Sequence, residues 1–267
     1  MNLQSYVGRS ETRSDTVSPM LARGLAATLG VREPEASLPP LWHWMLFQDW
    51  TAADALGPDG HPRRGGFLPP VHDLPRRMWA GGRLTLHAPL GIGEAVTRTS
   101  TIQAVTEKQG TSGRLVFVTV RHEIAGPGGP AIDEEQDLVY RGDEGAAVRP
   151  GASVAPVSAI AARSVRPDPV LLFRYSALTG NGHRIHYDAD YVRDVEKYPG
   201  LVVHGPLQAT WLAALAGDGL TRFSFRGQRP AFAGQRLVLE AWPEDGAVRL
   251  RSRDEAGMVC MTAEAGW

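Results

Sequence analysis

Asn181, His183, Arg184, His186 and Asp188 fall within eight residues of one polar stretch, 173–190 (FRYSALTGNGHRIHYDAD). Imidazole titrates near neutrality, so either histidine suits taking a proton from water and returning one to carbon or oxygen. An amide such as Asn181 can orient water but accepts no proton at neutral pH. The same residue types also bond backbone in ordinary loops, so the cluster reads equally as turn chemistry. His183 and His186, spaced i, i+3, find only Asp188 as a nearby third ligand, and no metal is expected here. A second short segment, His204-Gly205-Pro206, opens an apolar run.

Other chemistries lose their usual support. The chain contains no G-x-x-x-x-G-K-[ST], no G-x-G-x-x-G behind a strand, no H-E-x-x-H and no G-x-S-x-G. Twenty-eight basic and 29 acidic side chains give a formal charge of −1, so no global field attracts nucleic acid or an anionic membrane. The single cysteine, Cys260, forms no internal disulfide, which points to the cytoplasm. No unbroken apolar run approaches the ~18 residues of a membrane span, and no secretory leader is read in the first 30 residues.

The elements that must position the cluster follow from periodicity. Ser18 as cap, Pro19 in the first turn and Gly30 as stop predict a helix over 18–29. The tryptophan-rich 41–50 (LWHWMLFQDW) reads as a buried helix. Alternating runs near 84–86, 95–106, 115–120 and 132–140 predict about four antiparallel strands. The Gly/Ala/Pro-rich stretch around 142–158 reads as a linker, giving units 1–145 and 161–267 joined by 146–160. Residues 201–215 predict a central helix, and 221–227, 236–242, 247–251 and 258–263 four more strands. Arg83-Leu-Thr-Leu before Pro89-x-x-x-Gly93 echoes Arg222-Phe-Ser-Phe before Pro230-x-x-x-Gly234, the mark of an internal duplication. The inferred architecture is α+β, a sheet wrapped around a helix, twice over.

The stretch Tyr175-Ser-Ala-Leu-Thr-Gly-Asn-Gly-His-Arg-Ile-His-Tyr-Asp188, with Tyr198-Pro-Gly-Leu-Val-Val-His-Gly-Pro-Leu207, resembles the MaoC-like, type 2 hydratase superfamily. The closer resemblance is to the branch of mitochondrial-type 3-hydroxyacyl-thioester dehydratases and mesaconyl-C4-CoA hydratases. The upstream loop 57–70 (GPDGHPRRGGFLPP) and 74–82 (LPRRMWAGG) carry it into the first half. It implies a double hotdog and reversible syn addition of water across an α,β-unsaturated thioester, with no cofactor beyond the substrate's own coenzyme A. An acyl-CoA or acyl-carrier thioester is the implied partner, with a homodimer expected and neither nucleic acid nor membrane.

The family motif Asp-x-Asn-Pro-Leu-His places Asn181 at the Asp position and His183 at the Asn position, so only His186 matches a proton-transfer position directly. The second role is left open: either His183 shares the proton work, or Asn181 only orients water while His186 makes both transfers. Gly205 matches the glycine whose backbone N–H faces the developing enolate. Asp188 either orients His186 or caps the following helix, with capping favoured. Arg184, Arg76 and Arg77 are candidates for coenzyme A phosphates or a substrate carboxylate, and Trp79, with Phe47, Trp50 and Phe67, for the acyl wall. The first half is expected to shape the pocket and carry no catalytic group. His186 is expected to titrate near its ordinary ~6.5. A hotdog thioesterase and a non-catalytic acyl-thioester binder are the competing readings.

Overall fold

The computed structural model describes residues 2–110, 113–142, 153–155 and 157–267. Most of the expected linker 146–160 lies outside them. Its strands, β1 (Ser10–Thr16), β2 (Arg76–Leu86), β3 (Ala95–Gly110), β4 (Gly113–Gly126), β5 (Gly129–Arg141), β6 (Ala161–Val165), β7 (Arg222–Gly227), β8 (Leu237–Glu244), β9 (Ala247–Arg253) and β10 (Val259–Gly266), form one sheet. The order is β1-β3-β4-β5-β2-β7-β10-β9-β8-β6, antiparallel throughout. Adding five to each strand number of the first half reproduces the second half in mirrored order, the topology of a double hotdog. The two repeated segments meet at the seam. Leu84 pairs with Phe223 and Thr85 with Arg222, so the duplicated residues are those that join the halves.

Four helices accompany the sheet: α1 (Pro19–Leu29), α2 (Pro169–Thr179), α3 (Ala189–Asp194) and α4 (Gly205–Ala216). α1 and α2 start alike. The Ser18 hydroxyl accepts the Leu21 N–H and the Asp168 carboxylate accepts the Leu171 N–H, each followed by proline, and each helix ends at a left-handed glycine, Gly30 or Gly180. Caps of this kind are worth about 1 kcal/mol each. The two helices pack closely enough that a Cβ on Gly24 would stand 2.9 Å from Leu178 Cδ2. α4 is buried on every side from Leu207 to Ala213 and lies against β6 to β10, a helix apolar all round because the sheet curls about it. Its buried amide is satisfied, Ser252 Oγ donating to Gln208 Oε1 at 2.8 Å.

The stretch 41–50 departs from the helix expected there. Only Trp42–Met45 forms a 3-10 turn, because Leu41 and Phe47 adopt left-handed backbone, φ 70° and 57°. The turn is fixed by a buried carboxylate instead. Glu134 accepts from His43 Nε2 at 3.0 Å, Trp44 Nε1 at 2.8 Å and Gln136 Nε2 at 3.0 Å. Burial would raise its pKa, yet these donors hold it down to about 2. Trp50, a candidate for the acyl wall, is 77% exposed. No helix among the described residues is long and apolar enough to cross a membrane.

Candidate active site

The polar stretch begins where α2 stops. Gly180, at φ 62°, turns the chain, and Asn181 Oδ1 then accepts the His183 N–H at 3.0 Å. That turn leads into a 3-10 turn, Arg184–His186, which carries His186 inward. His186 Nδ1 donates to the Val202 carbonyl oxygen at 2.7 Å, leaving Nε2 as the bare nitrogen. Its ring stacks on that of His204, centroids 3.6 Å apart and planes 17° apart. Burial lowers the His186 pKa to about 4, against the Val202 carbonyl, which raises it. The ring is therefore neutral at physiological pH, not the partly protonated group its type alone suggests.

His204 is fully buried at the start of α4. Its Nε2 meets Ser176 Oγ at 2.9 Å while Nδ1 finds no partner, so it is only half satisfied. Burial holds it neutral too, with the neighbouring imidazoles adding to the effect. Next in the chain, Gly205 N–H makes no hydrogen bond among the described residues, and Pro206 has no N–H to offer. A Cβ on Gly205 would meet only Met261 Cε, at 3.9 Å. Tight packing thus does not require the glycine, whose N–H, unpaired among the described residues, stands at a helix N-terminus.

Asp188 does not orient His186. It caps α3, accepting the Tyr191 N–H at 2.9 Å, and receives Arg184 Nη2 at 2.7 Å and Nε at 3.0 Å. Arg184 is thereby spent: it also lies over the Tyr191 ring and donates to Pro58 O. Arg76 is buried and held by Glu196 at 2.5 Å. Neither arginine is placed to take a ligand's anion. The Arg77 guanidinium makes no hydrogen bond or ion pair among the described residues, and its charge is felt by both His61 and His183. Trp79 packs edge-on to Trp44 and Phe225, centroids 5.0 and 5.8 Å away, so it forms wall between the halves. Phe47 is buried under Arg98, and Phe67 packs on a separate apolar cluster around Ile102 and Val116.

The first half contributes more than wall. Its loop after residue 56 lies directly on the 181–187 segment. Arg184 N–H donates to Asp59 O at 2.9 Å, Gly60 sits at φ 86°, and a Cβ there would collide with Gly182 O. A Cβ on Gly182 would stand 2.7 Å from Gly60 O, so both positions need glycine for the loops to touch. This contact brings His61 against His183, ring centroids 4.2 Å apart, and His183 against His186 at 5.7 Å. Asp59 accepts from both His61 Nδ1, at 2.9 Å, and the His61 backbone N–H, at 3.1 Å. Burial lowers the His61 pKa against the Asp59 bond, and burial takes that of His183 down to about 2, with His61, His186 and Arg77 adding to the fall and Asp59 opposing it.

The residues that could gather round a metal ion are accordingly Asp59, His61 and His183, with ligand atoms within 4.8 Å of one another, and not His183, His186 and Asp188. Asp59 and His61 were missed in the sequence; the available signal was an Asp-x-His inside a loop rich in Gly and Pro. The resulting arrangement has a neutral imidazole, a free N–H at a helix start, an amide and a second, carboxylate-held imidazole. These are the parts needed to add water to an activated double bond.

Comparison with known proteins agrees with that chemistry. A family model for hydroxyacyl-thioester dehydratase type 2 matches residues 41–233. The chain is 45% identical to mesaconyl-C(4)-CoA hydratase of Chloroflexus aurantiacus, across 95% of this chain and 97% of that one. The crystal structure of HtdX from Mycobacterium tuberculosis superposes with a TM-score of 0.68 at 18% identity, covering 96% of this chain and 99% of that one. A second protein of that organism, described as a double hotdog, gives 0.55 at 13% identity over 97% and 95%.

Proposed function

The chain belongs to the hydroxyacyl-thioester dehydratase type 2 family, and from that premise we propose that it hydrates mesaconyl-C4-CoA, a branched dicarboxyl thioester. It is a hydro-lyase acting on a coenzyme A thioester. Water adds with its oxygen on the carbon β to the thioester and its proton on the α carbon. His186 Nε2 takes the water proton, since Nδ1 is committed to Val202. Negative charge growing on the thioester oxygen meets Gly205 N–H and the N-terminus of α4. One oxyanion donor of this kind is worth about 3 kcal/mol elsewhere. The Asn181 Nδ2 group, its Oδ1 tied to His183 N–H, is left to donate to the water. No cofactor enters these steps.

The Val202-fixed tautomer of His186 beside a free helix N-terminus carries the reading of the reaction; the 45% identity carries that of the substrate. A panel of mesaconyl-C4-CoA, itaconyl-CoA and straight-chain 2-enoyl-CoA tests it. The highest kcat/KM is expected on the first. A preference of tenfold or more for a straight chain would make the protein a general 3-hydroxyacyl-thioester dehydratase instead.

A further inference from the structure

Hydration needs a proton delivered to the α carbon as well as one removed from water, and Asn181 cannot deliver it. We propose that His61, held by Asp59, is the second proton-transfer residue, so that the active site is completed by the first half of the chain. The inference rests on the hydratase reading above.

Two observations select His61 over His183. Asp59 sits on Nδ1 of His61, which turns Nε2 away from the carboxylate and stabilises the ring when it carries a proton. His183 makes no hydrogen bond to a carboxylate; it lies between two imidazoles, at 4.2 and 5.7 Å, which with Arg77 oppose a positive charge there, and the Asp59 charge that favours one acts without a bond. The His61 side chain is also 22% exposed in the docked loop, which lets it exchange protons with solvent. The groups facing His61 are Asp59 on its own loop, Arg64 farther along it, Arg77 on β2 and His183 on the opposite segment.

The step balances. His186 Nε2 accepts a water proton while the water oxygen bonds to the β carbon. The π pair moves through the α carbon toward the thioester oxygen. The α carbon then takes the proton from His61 Nε2–H, leaving neutral His61 and charged His186. Once product leaves, His186 returns its proton to water entering the emptied site and His61 takes one from solvent, and dehydration runs the same path backward.

The experiment measures kcat, KM and pH–rate profiles of purified wild type, His61→Asn, Asp59→Asn, Asn181→Asp and the His61→Asn/Asn181→Asp double variant, with thermal melts alongside. Wild-type hydration is established first; its absence would overturn the hydratase reading, which is a separate failure. His61→Asn is expected to lower kcat by ~10²–10⁴-fold with KM within about threefold. Asp59→Asn should move the basic limb of the kcat profile to lower pH, because the His61 imidazolium loses its counter-charge. Asn181→Asp, which returns a carboxylate beside the reacting carbons, should restore kcat at least tenfold in the His61→Asn background and not in wild type. Folded His61→Asn with wild-type kcat would overturn the proposal, as would a carboxylate at 181 acting identically in both backgrounds. If His61→Asn fails to fold, an unmoved basic limb in Asp59→Asn overturns it.

Discussion

His186 Nδ1 lies 2.7 Å from the carbonyl oxygen of Val202, and this one bond decides which nitrogen is available for chemistry. Val202 precedes α4 by three residues, so the segment that delivers the Gly205 N–H also sets the His186 tautomer. His186→Ala is expected to lose ~10²–10⁴-fold in kcat, measured on the enoyl-thioester, while far-UV circular dichroism is unchanged. Turnover within threefold of wild type would remove His186 from the mechanism.

The pH dependence follows from the buried imidazoles. An unfolded histidine titrates near 6.5, whereas burial takes His186 to about 4 in the folded chain, and His61, His183 and His204 also fall. Between pH 6.5 and about 4 the unfolded chain binds more protons. Their contribution to stability is therefore complete above pH 6.5 and lost progressively as pH falls toward 4. Thermal melts should show Tm dropping across that window, and the acidic limb of kcat/KM should lie below pH 6. A limb centred at 6.5 would mean that His186 is better solvated than the structure shows.

Asn181 is expected to orient, not to titrate. Asn181→Ala should reduce kcat by about tenfold or more and leave the midpoint of the acidic limb in place, since His186 sets it. Rates equal to wild type would leave Asn181 as a turn residue bonding the His183 N–H and nothing else.

Asp59, His61 and His183 converge closely enough to bind an ion, yet Asp59 already occupies His61 Nδ1. Dialysis against a chelator should leave hydration within twofold of the untreated protein. Loss of activity restored by one divalent metal would turn this cluster into a metal centre and displace His61 from proton transfer.

Much of the scaffold was readable because its signals are local. The Ser18, Pro19 and Gly30 punctuation marks α1, and the apolar run 201–215 marks α4, although that helix starts only at Gly205, with Pro206 in its first turn. β1 (SETRSDT) was invisible: an edge strand with no apolar residue is specified by pairing with β3, not by its own pattern. The 41–50 stretch misled for a related reason. Trp44 is placed by a carboxylate 90 residues away, Glu134, which no local period reveals. At the site, His186 and Gly205 were picked out from two short segments, 175–188 and 198–207. His61 was not, since its partnership with His183 arises only when Gly60 lets two loops from different halves touch. Arg184 and Arg76 drew attention by charge alone, and their partners Asp188 and Glu196 remove them from ligand duty.

The central claim is addition of water to a conjugated thioester, and the absorbance of that conjugation reports it directly. Wild-type protein mixed with mesaconyl-C4-CoA should bleach the enoyl-thioester band toward an equilibrium value with no free thiol released. Thiol release in step with substrate loss would show hydrolysis, and saturable binding with an unchanged band would show a binder; either result would contradict the account.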